Sequence, residues 1–293
     1  MTTSRTGTTQ PDVAQLREIA ERLAREAGRL VHEGRPERVR VHATKSSPVD
    51  VVTAMDLASE DLLRRRIAEL RPGDGILGEE RGYEPGSTGV TWVVDPIDGT
   101  VNYLYGLASW SVSVAAVVSP VDPQGVAGPA GTAPDPQTWT VLAGAVHAPV
   151  DGRTFLAGRG LGATLDGAPV RVNDDRPLAE SLVGTGFGYL AERRRAQAAV
   201  VADLLPRVRD VRRLGSAALD LCAVASGGLD LYYERGLAPW DMAAASLVAQ
   251  EAGATVTGLR GRRADVEMTV AGPAAGVATL VAFLESHDAD RGA

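Results

Sequence analysis

The stretch WVVDPIDGTVNYLYG, Trp92 to Gly106, runs from an apolar strand into a turn made of aspartate, proline, glycine and threonine. Pro96 biases Asp95 toward extended backbone, so the strand Trp92–Val94 is expected to continue to Asp95 and end there. Gly99 permits a tight turn, and Thr100 is the expected N-cap of a short helix. Asp95 and Asp98 therefore flank a strand-to-helix turn at the end of a buried strand. Buried like charges repel one another and are costly to desolvate, so a cation belongs with them. The backbone N–H groups of Gly99 and Thr100 at such a helix start attract phosphate. Two carboxylates would repel that phosphate unless divalent cations bridge them, which is the arrangement of metal-assisted phosphoryl chemistry.

Other acids sit at similar places. Glu79 and Glu80 follow the short strand Ile76–Leu77 and Gly78, and Asp241 follows Trp240 at the start of an expected helix, Met242–Glu251. Acids that terminate apolar segments gather where α/β proteins build their sites. Oxygen-only ligands favour Mg²⁺ or Mn²⁺ over Zn²⁺, and no His/Cys cluster argues otherwise. Simple turn and helix capping accounts for any one of these acids alone, but not for all of them together. The acid spacing of an EF-hand calcium loop is missing. His32, His42, His147 and His287 lie away from every acid motif and are read as surface or structural.

The remaining chain alternates strands and helices, which indicates layered sheets and helices of the α/β class. Helices are expected over 11–34, 56–70, 191–205, 217–227, 243–253 and 280–287, and strands over 49–53, 111–119, 138–147, 182–186 and 229–233. The strands 111–119 and 138–147 read as antiparallel partners. Between them, residues 120–137 are rich in Pro, Gly and Ala and read as a flexible hairpin insertion. The second half of the chain starts near Asp151. Its Gly158-Arg159-Gly160-Leu161-Gly162 run lacks the following helix that a dinucleotide site needs.

The chain has 293 residues, 44% of them hydrophobic, a formal charge of −7 and a pI near 5.2. An acidic chain of this kind is not expected to bind nucleic acid non-specifically. The arginine clusters at 64–66 and 193–195 lie in helical patterns beside acids and read as solvated faces. Cys222 is the only cysteine, so no intrachain disulfide can form. It reads as core packing, and a reducing, cytoplasmic compartment is expected. No apolar stretch has transmembrane length, and the polar first ten residues read as a disordered tail without a signal sequence.

DPIDGTVNY (95–103), WDMAAASLVAQEAGA (240–254), KSSPVDVVTAMD (45–56), ILGEE (76–80) and RRLGSAALDLCAVASGGLDLYYERGL (212–237) together resemble, in order and spacing, the motifs of the inositol monophosphatase family. The resemblance spans roughly residues 12–283. It implies a layered αβαβα sandwich of the inositol monophosphatase/fructose-1,6-bisphosphatase type, usually a homodimer. Residues 11–149 would form one sub-domain with most metal ligands, and 150–290 a second that completes the site. It also implies a Mg²⁺-dependent, lithium-sensitive phosphomonoesterase. Glu79, Asp95 and the carbonyl of Ile97 would hold one Mg²⁺, and Asp95, Asp98 and Asp241 a second. Glu79 would help hold a third, weaker ion. Thr100, hydrogen-bonded to Asp56, would orient the attacking water, and Glu80 would support the ligands from behind. Gly99 and Thr100 would hold the phosphate. Gly215, Ser216, Ala217 and Glu234 would touch a sugar alcohol. Relatives act on histidinol phosphate, phosphoadenosine phosphate or fructose bisphosphate as well as inositol phosphate. GSAALDLC and Glu234 resemble the inositol-phosphate group, whereas histidinol-phosphate enzymes tend to carry Gly-Gly-Asp near Leu214-Gly215-Ser216. A non-catalytic scaffold would be expected to lack a metal acid, and none is missing.

Overall fold

A computed structural model describes residues 11–120 and 132–291. The expected N-terminal tail and most of the expected insertion lie outside the described residues. Helix α1 (Val13–Glu33) starts at Asp12, whose carboxylate accepts the N–H groups of Ala14 and Gln15, and buries a stripe of Leu16, Ala20, Leu23, Ala27 and Val31. This is the apolar spacing of one helix face. Helix α2 (Ala54–Leu70) starts with a reciprocal capping pair, Thr53 and Asp56.

Eight strands form the larger sheet, named here in chain order after a short hairpin of β1 (Val41–Thr44) and β2 (Val51–Thr53). They are β3 (Gly75–Gly78), β4 (Gly82–Glu84), β5 (Val90–Asp98), β6 (Ser111–Val118), β7 (Thr140–Ala148), β8 (Arg153–Gly158), β9 (Gly162–Leu165) and β10 (Ala168–Pro169). Their spatial order is β10-β9-β8-β7-β6-β5-β3-β4. β6 and β7 pair antiparallel, as their patterns predict. The expected boundary at 149/150 falls within this sheet, between β7 and β8.

Five strands form the smaller sheet, in the order β12-β11-β13-β15-β14. These are β11 (Leu182–Thr185), β12 (Asp210–Arg212), β13 (Leu231–Glu234), β14 (Thr255–Thr257) and β15 (Thr269–Gly272). Period-two alternation assigns their faces. In β5, Trp92 and Val94 pack with α1 and α2, while Val93 packs with α5 (Ala217–Ala225) and α6 (Pro239–Glu251) on the other side. In β13, Tyr232 faces α5 and α6, while Leu231 and Tyr233 face α4 (Ala191–Leu204) and α7 (Ala274–Ser286). The layers are therefore α1/α2, large sheet, α5/α6, small sheet and α4/α7, the expected αβαβα sandwich.

Two local expectations are corrected. β5 does not end at Asp95; it continues to Asp98 through an irregularity in which Asp95 opposes Ser113 and Asp98 opposes Ser111. A bulge accommodates Pro96, which has no N–H to give to the ladder. Helix α3 (Thr100–Tyr105) is capped by Gly99 in the left-handed region, so Thr100 is its first residue rather than its cap. The Gly158–Gly162 loop binds an anion from its own chain, since the N–H groups of Gly160 and Gly162 donate to the Glu251 carboxylate.

Candidate active site

The bulge in β5 places Asp95 and Asp98, both buried, beside the start of α6. Asp241 is the third residue of α6, which starts at Pro239, earlier than its sequence pattern suggests. Its carboxylate accepts the Ala238 N–H at 2.7 Å. One carboxylate oxygen from each of Asp95, Asp98 and Asp241 lies within 4.8 Å of the others. Asp98 also accepts the Ser216 hydroxyl and the N–H groups of Ala217 and Ala218 (3.3 and 2.8 Å), at the N-terminus of α5. Asp56 is the third residue of α2, where it accepts the Thr53 N–H at 2.8 Å. The positive ends of α2, α5 and α6 thus converge on these acids and offset part of their charge.

Glu79 follows β3 on a turn fixed from behind. Buried Glu60 accepts the N–H groups of Glu80 and Arg81 at 2.7 and 3.1 Å. A Cβ on Gly78 would sit 2.3 Å from Glu60, so this approach requires glycine. The Lys45 ammonium donates to Glu79 at 2.7 Å and to Glu80 at 2.6 Å. Burial works against that ammonium, but the two glutamates outweigh it and hold it above the usual lysine range. Thr100 Oγ1 lies 3.1 Å from Asp56 Oδ1 and 2.9 Å from the Ile97 carbonyl.

The carboxyls titrate high because burial penalises their charged forms. Burial raises Asp56 and Asp98 to about 6 each, against the hydrogen bonds each accepts. It raises Glu79 to about 7, against Lys45. Asp95 and Asp241 are pushed well above the carboxylate range by burial, then by the charges of Glu79 and Asp98. An all-oxygen cluster with this much unrelieved charge fits a hard divalent cation.

A cavity of about 420 Å³ opens over the acids. Lys45, Glu79, Asp95, Ile97, Asp98, Thr100 and Asp241 line it, with Gly99, Gly215, Ala217 and Glu234. Such a volume suits a small molecule. Glu234 accepts the Tyr232 hydroxyl at 2.6 Å, and burial raises its carboxyl to about 7. Ser216 is buried and its hydroxyl is committed to Asp98 rather than to the cavity surface.

The profile of the inositol monophosphatase family matches residues 12–128 and 137–286. The chain belongs to the inositol monophosphatase family. Among its relatives, the inositol-1-monophosphatase of Mycobacterium leprae is 47% identical over 266 residues, 84% of each chain. The solved structure of Mycobacterium tuberculosis SuhB superposes with a TM-score of 0.75 at 40% identity, covering 96% of this chain and 100% of that one. The inositol monophosphatase of Anabaena gives a TM-score of 0.75 at 28% identity, covering 94% and 97%. The protein is a phosphatase of this family, whose members depend on metal, and the acidic cluster is its candidate metal centre.

Family membership leaves several cavity residues without a sequence-derived role. Lys45 opens the KSSPVDVVTAMD motif, yet nothing in the motif signals that its ammonium reaches Glu79 and Glu80. Asp220 is hidden in the apolar run of α5. Arg193, Arg213 and the 186–190 segment reach the cavity only through the fold. Cys222 is buried in the core as expected. His147 is structural too: its Nδ1 sits 2.9 Å from Thr154 Oγ1. Among the described residues, no helix is long and apolar enough to cross a membrane.

Proposed function

We propose that this protein is a Mg²⁺-dependent phosphomonoesterase that hydrolyses myo-inositol monophosphate to inositol and phosphate. The observation that carries this reading is the cluster of Asp95, Asp98 and Asp241 at one side of a cavity that Glu234 also lines. Glu79, Asp95 and the Ile97 carbonyl would hold one ion, and Asp95, Asp98 and Asp241 a second. Glu79 would contribute to a third, weaker site. Mn²⁺ is the alternative ion. Bound Mg²⁺ would lower the pKa of water and offset charge on the phosphate and the leaving alkoxide.

The chain supplies the rest. Thr100 has one hydroxyl proton; donating it in a hydrogen bond to Asp56 leaves its lone pairs free to accept a hydrogen bond from the attacking water, which orients that water. Gly99 and Thr100, at the start of α3, cradle the phosphate. Glu234 accepts hydrogen bonds from substrate hydroxyls beside Gly215 and Ala217, while Ser216 holds Asp98 from behind. The same reading includes two sub-domains, residues 11–149 and 150–290, a homodimer, a cytoplasmic location, no nucleic-acid or membrane partner, and inhibition by lithium.

The test is phosphate release from myo-inositol 1-phosphate and histidinol phosphate, with Mg²⁺ and with excess EDTA. Activity is expected on the inositol ester, to vanish in EDTA, and to fall moderately in Glu234→Gln. Undiminished activity in EDTA refutes the metal chemistry. Better turnover of histidinol phosphate refutes the substrate reading and leaves the metal chemistry standing.

A further inference from the structure

Buried carboxylates that serve the fold of this protein are saturated with donors. Asp230 accepts from the Asn173 side chain at 2.8 Å and the Leu182 N–H at 2.7 Å, with Arg176 at 3.2 Å. Glu60 takes two backbone N–H groups and Arg64. Asp220 differs. It is 1% exposed, its Oδ1 has no hydrogen-bond partner among the described residues, and it lines the same cavity as Glu234. An unpaired buried carboxyl is destabilising unless something outside the folded chain completes it.

Strand β11 and the residue after it shape the space beside both acids. Gly184 pairs with Tyr232, so the chain direction carries Gly186 toward Glu234. A Cβ on Gly186 would fall 2.0 Å from Glu234 Oε2, and one on Gly184 would fall 3.8 Å from Asp220 Oδ1. Gly186 thus brings the backbone hard against Glu234, while Gly184, crowded by Leu229 and Tyr232, leaves Asp220 Oδ1 in ordinary contact on the same side. Glu234 already has one oxygen committed to Tyr232.

We propose that Asp220 is a specificity-determining residue that hydrogen-bonds substrate ring hydroxyls remote from the phosphate, alongside Glu234. The inference rests on the polyol-phosphate reading above and adds a second recognition group to it. Burial, reinforced by Glu234 and Asp98 and opposed by Arg213, raises the Asp220 carboxyl to about 8. At neutral pH it therefore keeps its proton and both donates and accepts, and a hydroxyl does the same. Asp220, able to donate and accept, beside Glu234 as an acceptor selects a ring with adjacent hydroxyls over a short phosphate ester that presents none at that distance. A site built to hydrogen-bond a hydroxyl discriminates strongly against esters that lack it.

The test measures kcat/KM for myo-inositol 1-phosphate and for glycerol 2-phosphate with wild type, Asp220→Ala, Asp220→Val and Asp220→Asn, at saturating Mg²⁺. Alanine and valine remove the hydrogen-bonding group with different volumes, so either one that folds carries the test. The ratio of the two kcat/KM values, inositol ester over glycerol ester, is expected to fall about tenfold in both, the worth of one hydrogen bond. Asparagine keeps a donor and an acceptor and is expected to restore most of the ratio. A ratio unchanged in alanine and valine overturns the proposal, as does an equal loss on both esters, which marks a structural role. Wild type that cleaves glycerol 2-phosphate but not the inositol ester overturns the polyol-ring reading itself, and the Asp220 proposal with it.

Discussion

Replacing Asp95 by asparagine separates what the acids do for catalysis from what they do to the fold. Asparagine keeps the shape and the oxygen that accepts the Ile97 N–H at 3.0 Å, and removes one charge. With ligand oxygens of Asp95, Asp98 and Asp241 within 4.8 Å of one another, each ionised pair repels by on the order of 3 kcal/mol at an effective dielectric of about 20. Asp95→Asn removes two of the three pairs. Partial protonation of the cluster shrinks the saving, so the metal-free protein is expected to gain about 1–2 kcal/mol, or several degrees in Tm. Catalysis moves the other way. Asp95 is shared between both proposed ion positions, and losing a group that stabilises the transition state electrostatically costs about 2–4 kcal/mol, roughly 30- to 1,000-fold in kcat. Thermal melts in EDTA and in Mg²⁺, beside phosphate-release kinetics, read both effects. A variant with kcat within threefold of wild type, or with a lower Tm in EDTA, refutes the reasoning.

Thr100→Val keeps the shape of the first residue of α3 but removes the hydroxyl between Asp56 and Ile97, so kcat should fall about a hundredfold with Tm little changed; unchanged kcat would discard the role given to Thr100. Gly186→Ala would force the Glu234 carboxyl off Tyr232, so KM for the inositol ester should rise more than kcat falls. Unaltered steady-state kinetics would remove Glu234 from substrate binding. Asp56, Asp98, Glu79, Glu234 and Asp220 all titrate higher in the fold than in an unfolded chain, so folding takes up protons. The corresponding stability is present below the unfolded values and is lost as pH rises through about 6–8, so Tm in EDTA should fall between pH 5 and pH 8, and Mg²⁺ should restore it at pH 8. A flat profile in EDTA would contradict the burial of these groups.

The acids were legible because each ends an apolar segment, and a buried charge at the end of a strand or the start of a helix demands a partner. Layered sheets and helices were legible because strand and helix patterns alternate along the chain; the order of the five layers was implied only by the resemblance to the family. Short edge strands were not: β12 and β14 have three residues each, too few for a period to appear. β2 was expected within 49–53, but its partner β1 escaped for another reason. β1 is exposed throughout, so no burial pattern marks it or the Lys45 that follows. Pro96 pointed to a strand end through its restriction of Asp95; the bulge instead carries the strand past a residue that has no N–H to give. Asp220 stayed hidden because an acid in the apolar run of α5 carries no signal until the fold places it beside Glu234.

The bond network of Asp98 has a consequence for how activity arises during folding. Its carboxylate extends from a strand of the large sheet, and its donors come from the first turn of α5, which lies between the sheets. Asp241 also comes from that middle layer. A chain whose large sheet has formed but whose α5 and α6 have not docked holds Asp95 and Asp98 without Asp241, Ser216 or Ala218. Such a species would lack part of the proposed ion site, because the candidate oxygens are divided between parts that have not met. By linkage, a cation bound across that junction would favour the docked form, so its removal by EDTA would loosen the contact between the large sheet and the middle layer.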